Sequence, residues 1–94
     1  MPRYITFCEM TPWFLRLSLE DREKYLPKWT KLASEYGIKV LFWGLPMGVT
    51  EHVVIVFEDS AGSSKFFVFQ RKWLGLGTSE AGKIIKNSRT IIVS

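Results

Sequence analysis

The sequence predicts a single α+β domain in the order β-α-β-β-α-β. Three observations predict it. Four short runs alternate as strands do, two longer stretches carry apolar residues at helical spacing, and Gly, Pro and Ser punctuate the boundaries. The chain has 94 residues, 47% of them hydrophobic, 23% charged and 15% aromatic. That is one domain's worth of chain, too apolar for disorder.

Tyr4 to Met10 reads as the first strand. Ile5 and Phe7 point one way; Tyr4, Thr6, Cys8 and Met10 point the other. Neither set is clearly polar, so both faces need cover. Thr11 to Leu17 is apolar although Pro12 breaks the strand, so Trp13, Phe14, Leu15 and Leu17 are expected to fold back as a lid or meet a partner chain.

Ser18 opens a helix. Asp21, three residues on, completes an approximate capping box, and Glu20 adds a second acid at the positive helix end. Leu19, Arg22, Leu26, Trp29, Ala33 and Tyr36 form one stripe, flanked by Tyr25 and Leu32; Lys24, Lys28, Lys31 and Glu35 fall mainly opposite. Gly37 supplies the stop. Pro27 lacks the donor an interior position needs, which predicts a kink or a restart.

Ile38 to Leu45 is the second strand, with Ile38, Val40 and Phe42 alternating against Lys39, Leu41 and Trp43. Pro46-Met47-Gly48 makes a turn into a third strand, His52 to Glu58. The short loop implies an antiparallel hairpin, with Trp43 opposite His52 and Leu41 opposite Val54. A second helix is expected near Ser64 to Leu74, carrying Phe66, Phe69, Gln70 and Trp73 on one stripe and ending at Gly75 and Gly77. Ser79 to Asn87 suggests a short extra helix with Ile84 and Ile85 buried, and Thr90 to Val93 a last strand.

This is the split βαβ, ferredoxin-like pattern: a four-stranded antiparallel sheet with helices on one face. Strands apolar on both sides leave the second face in need of cover, and a second copy of the sheet is the simplest one. The element order, the Ser18-Leu19-Glu20-Asp21-Arg22 helix start and the Gly77 to Val93 tail resemble the dimeric α/β-barrel superfamily over nearly the full chain. The resemblance implies a homodimer with sheets packed face to face, and it includes cofactor-free monooxygenases whose aromatic cavity holds a polycyclic substrate. Haem-degrading members carry a histidine on the second helix, where this chain has none.

Four Trp, seven Phe and three Tyr are a large load for one small core. Tyr25, Trp29, Trp43, Phe66, Phe69 and Trp73 are therefore the candidate lining of an apolar ligand pocket, with His52, Arg71 and Arg22 as its polar groups. The same rings could equally pack together as core, and Arg71 reads more readily as a solvated helix residue. His52, the only histidine, is the candidate acid/base, a role weighed against that of a hydrogen-bonded bystander.

Cys8, Glu9, Glu51 and His52 lack ligand-type spacing, so no metal site is expected, and no cofactor motif is present. One cysteine permits no internal disulfide. Cys8 reads as a buried structural thiol. The net charge of +4 is spread along the chain, as solubility needs and nucleic-acid binding does not. With no signal-peptide core and no apolar run long enough to span a bilayer, the expectation is a cytoplasmic protein with no membrane and no nucleic-acid partner.

The leading functional expectation is a homodimer that binds, with or without turnover, a small hydrophobic or aromatic molecule between sheet and helices. Trp29 and Trp43 would be its walls. The alternatives are an interaction or regulatory subunit with no active site and an RNA-binding module. The last is weakened by a third strand with one aromatic and an acidic end.

Overall fold

Four strands form one antiparallel sheet in the order β2-β3-β1-β4, in a computed structural model that describes residues 2–60, 62, 64–74 and 84–93. The strands are β1 (Arg3–Met10), β2 (Ile38–Gly44), β3 (Val53–Asp59) and β4 (Ile85–Val93). The helices are α1 (Pro12–Leu15), α2 (Leu19–Glu23), α3 (Tyr25–Glu35) and α4 (Phe66–Leu74). β1 lies between β3 and β4, antiparallel to both, and β3 lies between β1 and β2. This is the expected α+β class with a four-stranded antiparallel sheet.

One face of β1 (Tyr4, Thr6, Cys8 and Met10) is fully covered by helices. Its cross-strand partners continue that layer: Phe57, Ile55 and Val53 on β3, and Ile92, Thr90 and Ser88 on β4. The core is aromatic. Tyr4 stacks on Phe66 at 3.9 Å between ring centroids. Phe57 meets Phe66 and Phe69 at 5.4 Å and Trp73 at 5.8 Å. Trp29 of α3 closes edge-on against Trp73 at 5.5 Å. α4 lies over β4, where Gln70 Nε2 donates to Thr90 Oγ1 at 2.8 Å. α3 packs over β2.

The helix signals act where they were read. The Ser18 hydroxyl accepts from the Asp21 N–H at 3.2 Å, and Gly37 ends α3 with a φ of 73°. The long helix breaks at Lys24, between α2 and α3, which puts Pro27 in the first turn of α3. There its missing N–H is one that no helix would satisfy, and its ring escapes the carbonyl four residues back. Ser18→Ala should lower stability by about 1 kcal/mol. Thermal melts should show it as a fall of roughly 4–8 °C.

Three expectations need correction. The alternation of β2 inverts midway, because Val40 pairs with Phe57 and Phe42 with Val56, leaving Leu41 as an extra residue. That one-residue bulge moves every later side chain to the opposite face. Trp43 thus joins Ile38 and Val40 on the helix side, and Phe42 turns to the open face. The hairpin register differs too: Trp43 opposes Ile55 and Gly44 opposes Val54, not His52 and the residues inferred from a tight turn. Finally, β4 begins at Ile85 rather than Thr90. Ile85 and Asn87 are strand residues paired with β1, so the helix expected over Ser79 to Asn87 does not reach them. Its residues 79–83 lie outside the described residues.

The other face of the sheet carries no helix among the described residues. Ile5 and Phe7 of β1, Val54 and Val56 of β3, Phe42 of β2, and Ile91 and Val93 of β4 share it by register. Phe42 is 61% exposed and Ile91 47%. The expectation of a sheet apolar on both sides holds at this level.

Candidate functional site

The cleft beside α3 begins with the β2 bulge. By inverting the strand, it sets the Trp43 ring between β2 and the helix layer, 44% exposed. Trp29 faces it from α3. Val53 and Ile55 of β3, Met10 of β1, Leu26 of α3 and Phe14 of α1 close the walls. The space holds about 50 Å³. At the roughly 10–15 Å³ that each water requires, it takes about three to five waters or one side-chain-sized apolar group.

Arg22 and Glu23 stand at its rim. The Arg22 guanidinium turns back on the chain that precedes it. Nε donates to the Leu17 carbonyl at 3.1 Å, and Nη2 donates to the Leu15 carbonyl. Its carbon lies 5.9 Å from the Phe14 ring centroid. Arg22 therefore fastens the Thr11 to Leu17 segment down. That segment folds back as expected, but as a short helix: Thr11 caps it by accepting from the Phe14 N–H at 3.3 Å, and Pro12 takes the first turn. Phe14 is buried, whereas Trp13 is not.

Of the residues expected to line one pocket, the structure brings Trp29 and Trp43 together. Tyr25 sits behind them, its ring 6.2 Å from Trp29 and 5.9 Å from Phe14. Phe66, Phe69 and Trp73 do not line the cleft. They are completely buried against one another and Phe57, with Phe69 and Trp73 stacked 5.7 Å apart. Arg71 is exposed on α4 and is not among the lining residues. Met10, Phe14, Glu23, Leu26, Val53 and Ile55 line the cleft without having been expected there. Only the lid-like apolar run after Pro12 hinted at one of them.

His52 is also absent from the cleft lining. Its backbone N–H donates to the Cys8 carbonyl at 2.9 Å, and its side-chain Nδ1 accepts from the Met10 N–H at 3.0 Å. Met10 is where β4 inserts an extra residue, Lys86, against β1. The imidazole satisfies a donor at that irregularity, which is a structural task. Cys8 is fully buried on the helix side. Burial, with a smaller contribution from the Glu51 charge, pushes its thiol up to about 12. It is therefore neutral and unreactive at ordinary pH.

A second, polar hollow of about 60 Å³ lies at one end of the open face, between Glu9, Thr50, Glu51, Asn87, Ser88 and Arg89. Arg89 pairs with Glu51 and lies 4.6 Å over the Phe7 ring. The hydrogen bond from Arg89 holds the Glu51 carboxyl below its usual range. At the opposite end Arg3 pairs with Glu58 at 3.1 Å. The apolar open face is thus flanked by two ion pairs. No group of three or more His, Cys, Asp or Glu side chains converges as metal ligands among the described residues. No helix among them is long and apolar enough to cross a membrane. No protein-family profile matches the chain, and no curated protein shows significant similarity to it.

Proposed function

We propose that the protein works as a homodimer joined through the open sheet faces, each subunit holding a small apolar or aromatic molecule in the Trp29–Trp43 cleft. The observation that carries the reading is the open face. Seven apolar side chains from four strands lie together on it, with charged pairs at two ends. Four strands about 4.8 Å apart and roughly seven residues long give a footprint of about 450 Å². The apolar side chains take up the middle of that footprint, with Arg3, Glu58 and Arg89 around them; apolar residues gathered rather than scattered mark a contact surface, and an apolar centre with a polar rim is how protein interfaces are built. β1 and β3 in the centre with β2 and β4 at the edges supports the ferredoxin-like reading, and with it the resemblance to the dimeric α/β-barrel superfamily.

The ligand is small. A cleft of about 50 Å³ accommodates one ring edge or a branched alkyl group, not a polycyclic molecule. Toluene is a suitable probe. Its titration should shift the indole N–H resonances of Trp29 and Trp43 in amide-correlation spectra and leave that of Trp13 in place. Trp43→Ala should abolish the saturable shift. Unmoved Trp29 and Trp43 signals at saturating toluene would end the ligand reading.

One observation favours the alternative of an interaction or regulatory subunit with no active site. His52, the residue expected to carry protons, spends its Nδ1 on the Met10 backbone. An RNA-binding role loses its strand aromatic: Phe57 is 1% exposed and faces the helices, so no base can stack on it.

A further inference from the structure

β4 is a nine-residue strand at the edge of the sheet. Among the described residues no strand pairs with its outer side. Edge strands are usually blunted, by charge, proline, bulges or cover. The opposite edge, β2, has the Leu41 bulge and an exposed Lys39. β4 keeps its bulge, at Lys86, and its exposed charges, Lys86 and Arg89, in its first half; from Thr90 to Val93 it has no bulge, proline or charge, and its register against β1 is unbroken.

The surroundings of that edge are apolar on both faces. Ile91 and Val93 are exposed on the open side. On the helix side Ile92 is 57% exposed, next to Tyr4, its partner across the strands. The Phe67 ring lies 6.0 Å from the Tyr4 ring. Phe67 and Val68 of α4 are each 56% exposed. One apolar band therefore runs from the open face, around the β4 edge, to α4.

We propose that this edge pairs with β4 of a second copy, antiparallel about a two-fold axis at Ile91, extending two sheets into one. In that register Ile91 opposes Ile91, Thr90 opposes Ile92 and Arg89 opposes Val93. β-branched residues then face each other, and no like charges do. The same two-fold axis brings the two α4 helices side by side and covers Phe67 and Val68, which a foreign strand alone would leave wet. This contact differs from the one between open faces. With the two two-fold axes crossing at right angles, the two contacts close at four chains.

Sedimentation equilibrium at high micromolar concentration tests it with three proteins. Phe42→Lys lies on β2 and disturbs only the open-face contact. The double variant Phe67→Lys/Ile92→Lys lies on the helix side and disturbs only the edge. All three positions are more than half exposed, so the subunits should fold, as circular dichroism would verify. The wild type should have the mass of four chains and each variant the mass of two. An edge variant with unchanged mass overturns the edge contact and leaves the open-face reading intact. A Phe42→Lys protein with unchanged mass does the reverse. A wild type that is a single chain overturns both.

Discussion

Trp73→Ala should lower the unfolding free energy by about 3–5 kcal/mol, the usual cost of deleting a buried large aromatic. Trp73 is 1% exposed and touches three layers of the core at once. Its ring meets Phe57 on the sheet at 5.8 Å, Phe69 on its own helix at 5.7 Å and Trp29 on α3 at 5.5 Å. No single neighbour can relax into the hole without abandoning the other two. Edge-to-face geometry with Phe57 and Trp29 adds roughly 0.5–1.5 kcal/mol per pair beyond area burial. A domain of this size holds about 5–14 kcal/mol in total. The variant should therefore lose about a fifth of its stability or more and unfold at a much lower urea concentration. An unchanged urea midpoint would show that this cluster is not the core.

Phe42→Lys should weaken self-association about 30-fold or more. Phe42 reaches the open face only because the Leu41 bulge turns it there, and at 61% exposure it contributes little to the isolated subunit. Burying a phenylalanine stabilises by about 1.5–3 kcal/mol. With 61% of the side chain left to bury and the substitution counted twice across a two-fold interface, the loss is roughly 2–4 kcal/mol, or about 30- to 1,000-fold. The introduced ammonium groups add to the loss. Stability of the separated subunit should be unchanged, which distinguishes this variant from Trp73→Ala. Sedimentation velocity over a dilution series reads the shift directly.

Much of this architecture is legible in the residues alone. Ser18, Gly37 and Pro27 mark helix start, stop and restart through backbone chemistry that tertiary context leaves alone. Phe66, Phe69, Gln70 and Trp73 share a stripe because helical spacing forces them to. The doubly apolar sheet follows from plain alternation in β1 and β3. The bulge does not follow, because Val40-Leu41-Phe42-Trp43 is apolar at every position and a period of two then has no phase. Nor does composition separate core rings from cleft rings: Phe66, Phe69 and Trp73 fill the core, and Trp29 and Trp43 alone of the expected aromatics line the cleft.

Other features depend on contacts distant in the chain. Ile84 and Ile85 suit a helix by spacing, but β1 is paired with β4 along its whole length from Arg3 to Met10, and this draws Ile85 into the ladder. The fold-back of Arg22 onto the Leu15 and Leu17 carbonyls needs the lid in place first. His52 looks like a proton carrier until the Met10 N–H is found against its Nδ1.

The exposed apolar sheet bears the whole account, and sedimentation equilibrium of the wild-type chain tests it most directly. Mass should rise from 10.9 kDa at high dilution to a multiple of it as concentration increases. A protein that stays at the single-chain mass up to its solubility limit would contradict the account, since no second copy would then be shielding Phe42, Ile91 and Val93 from water.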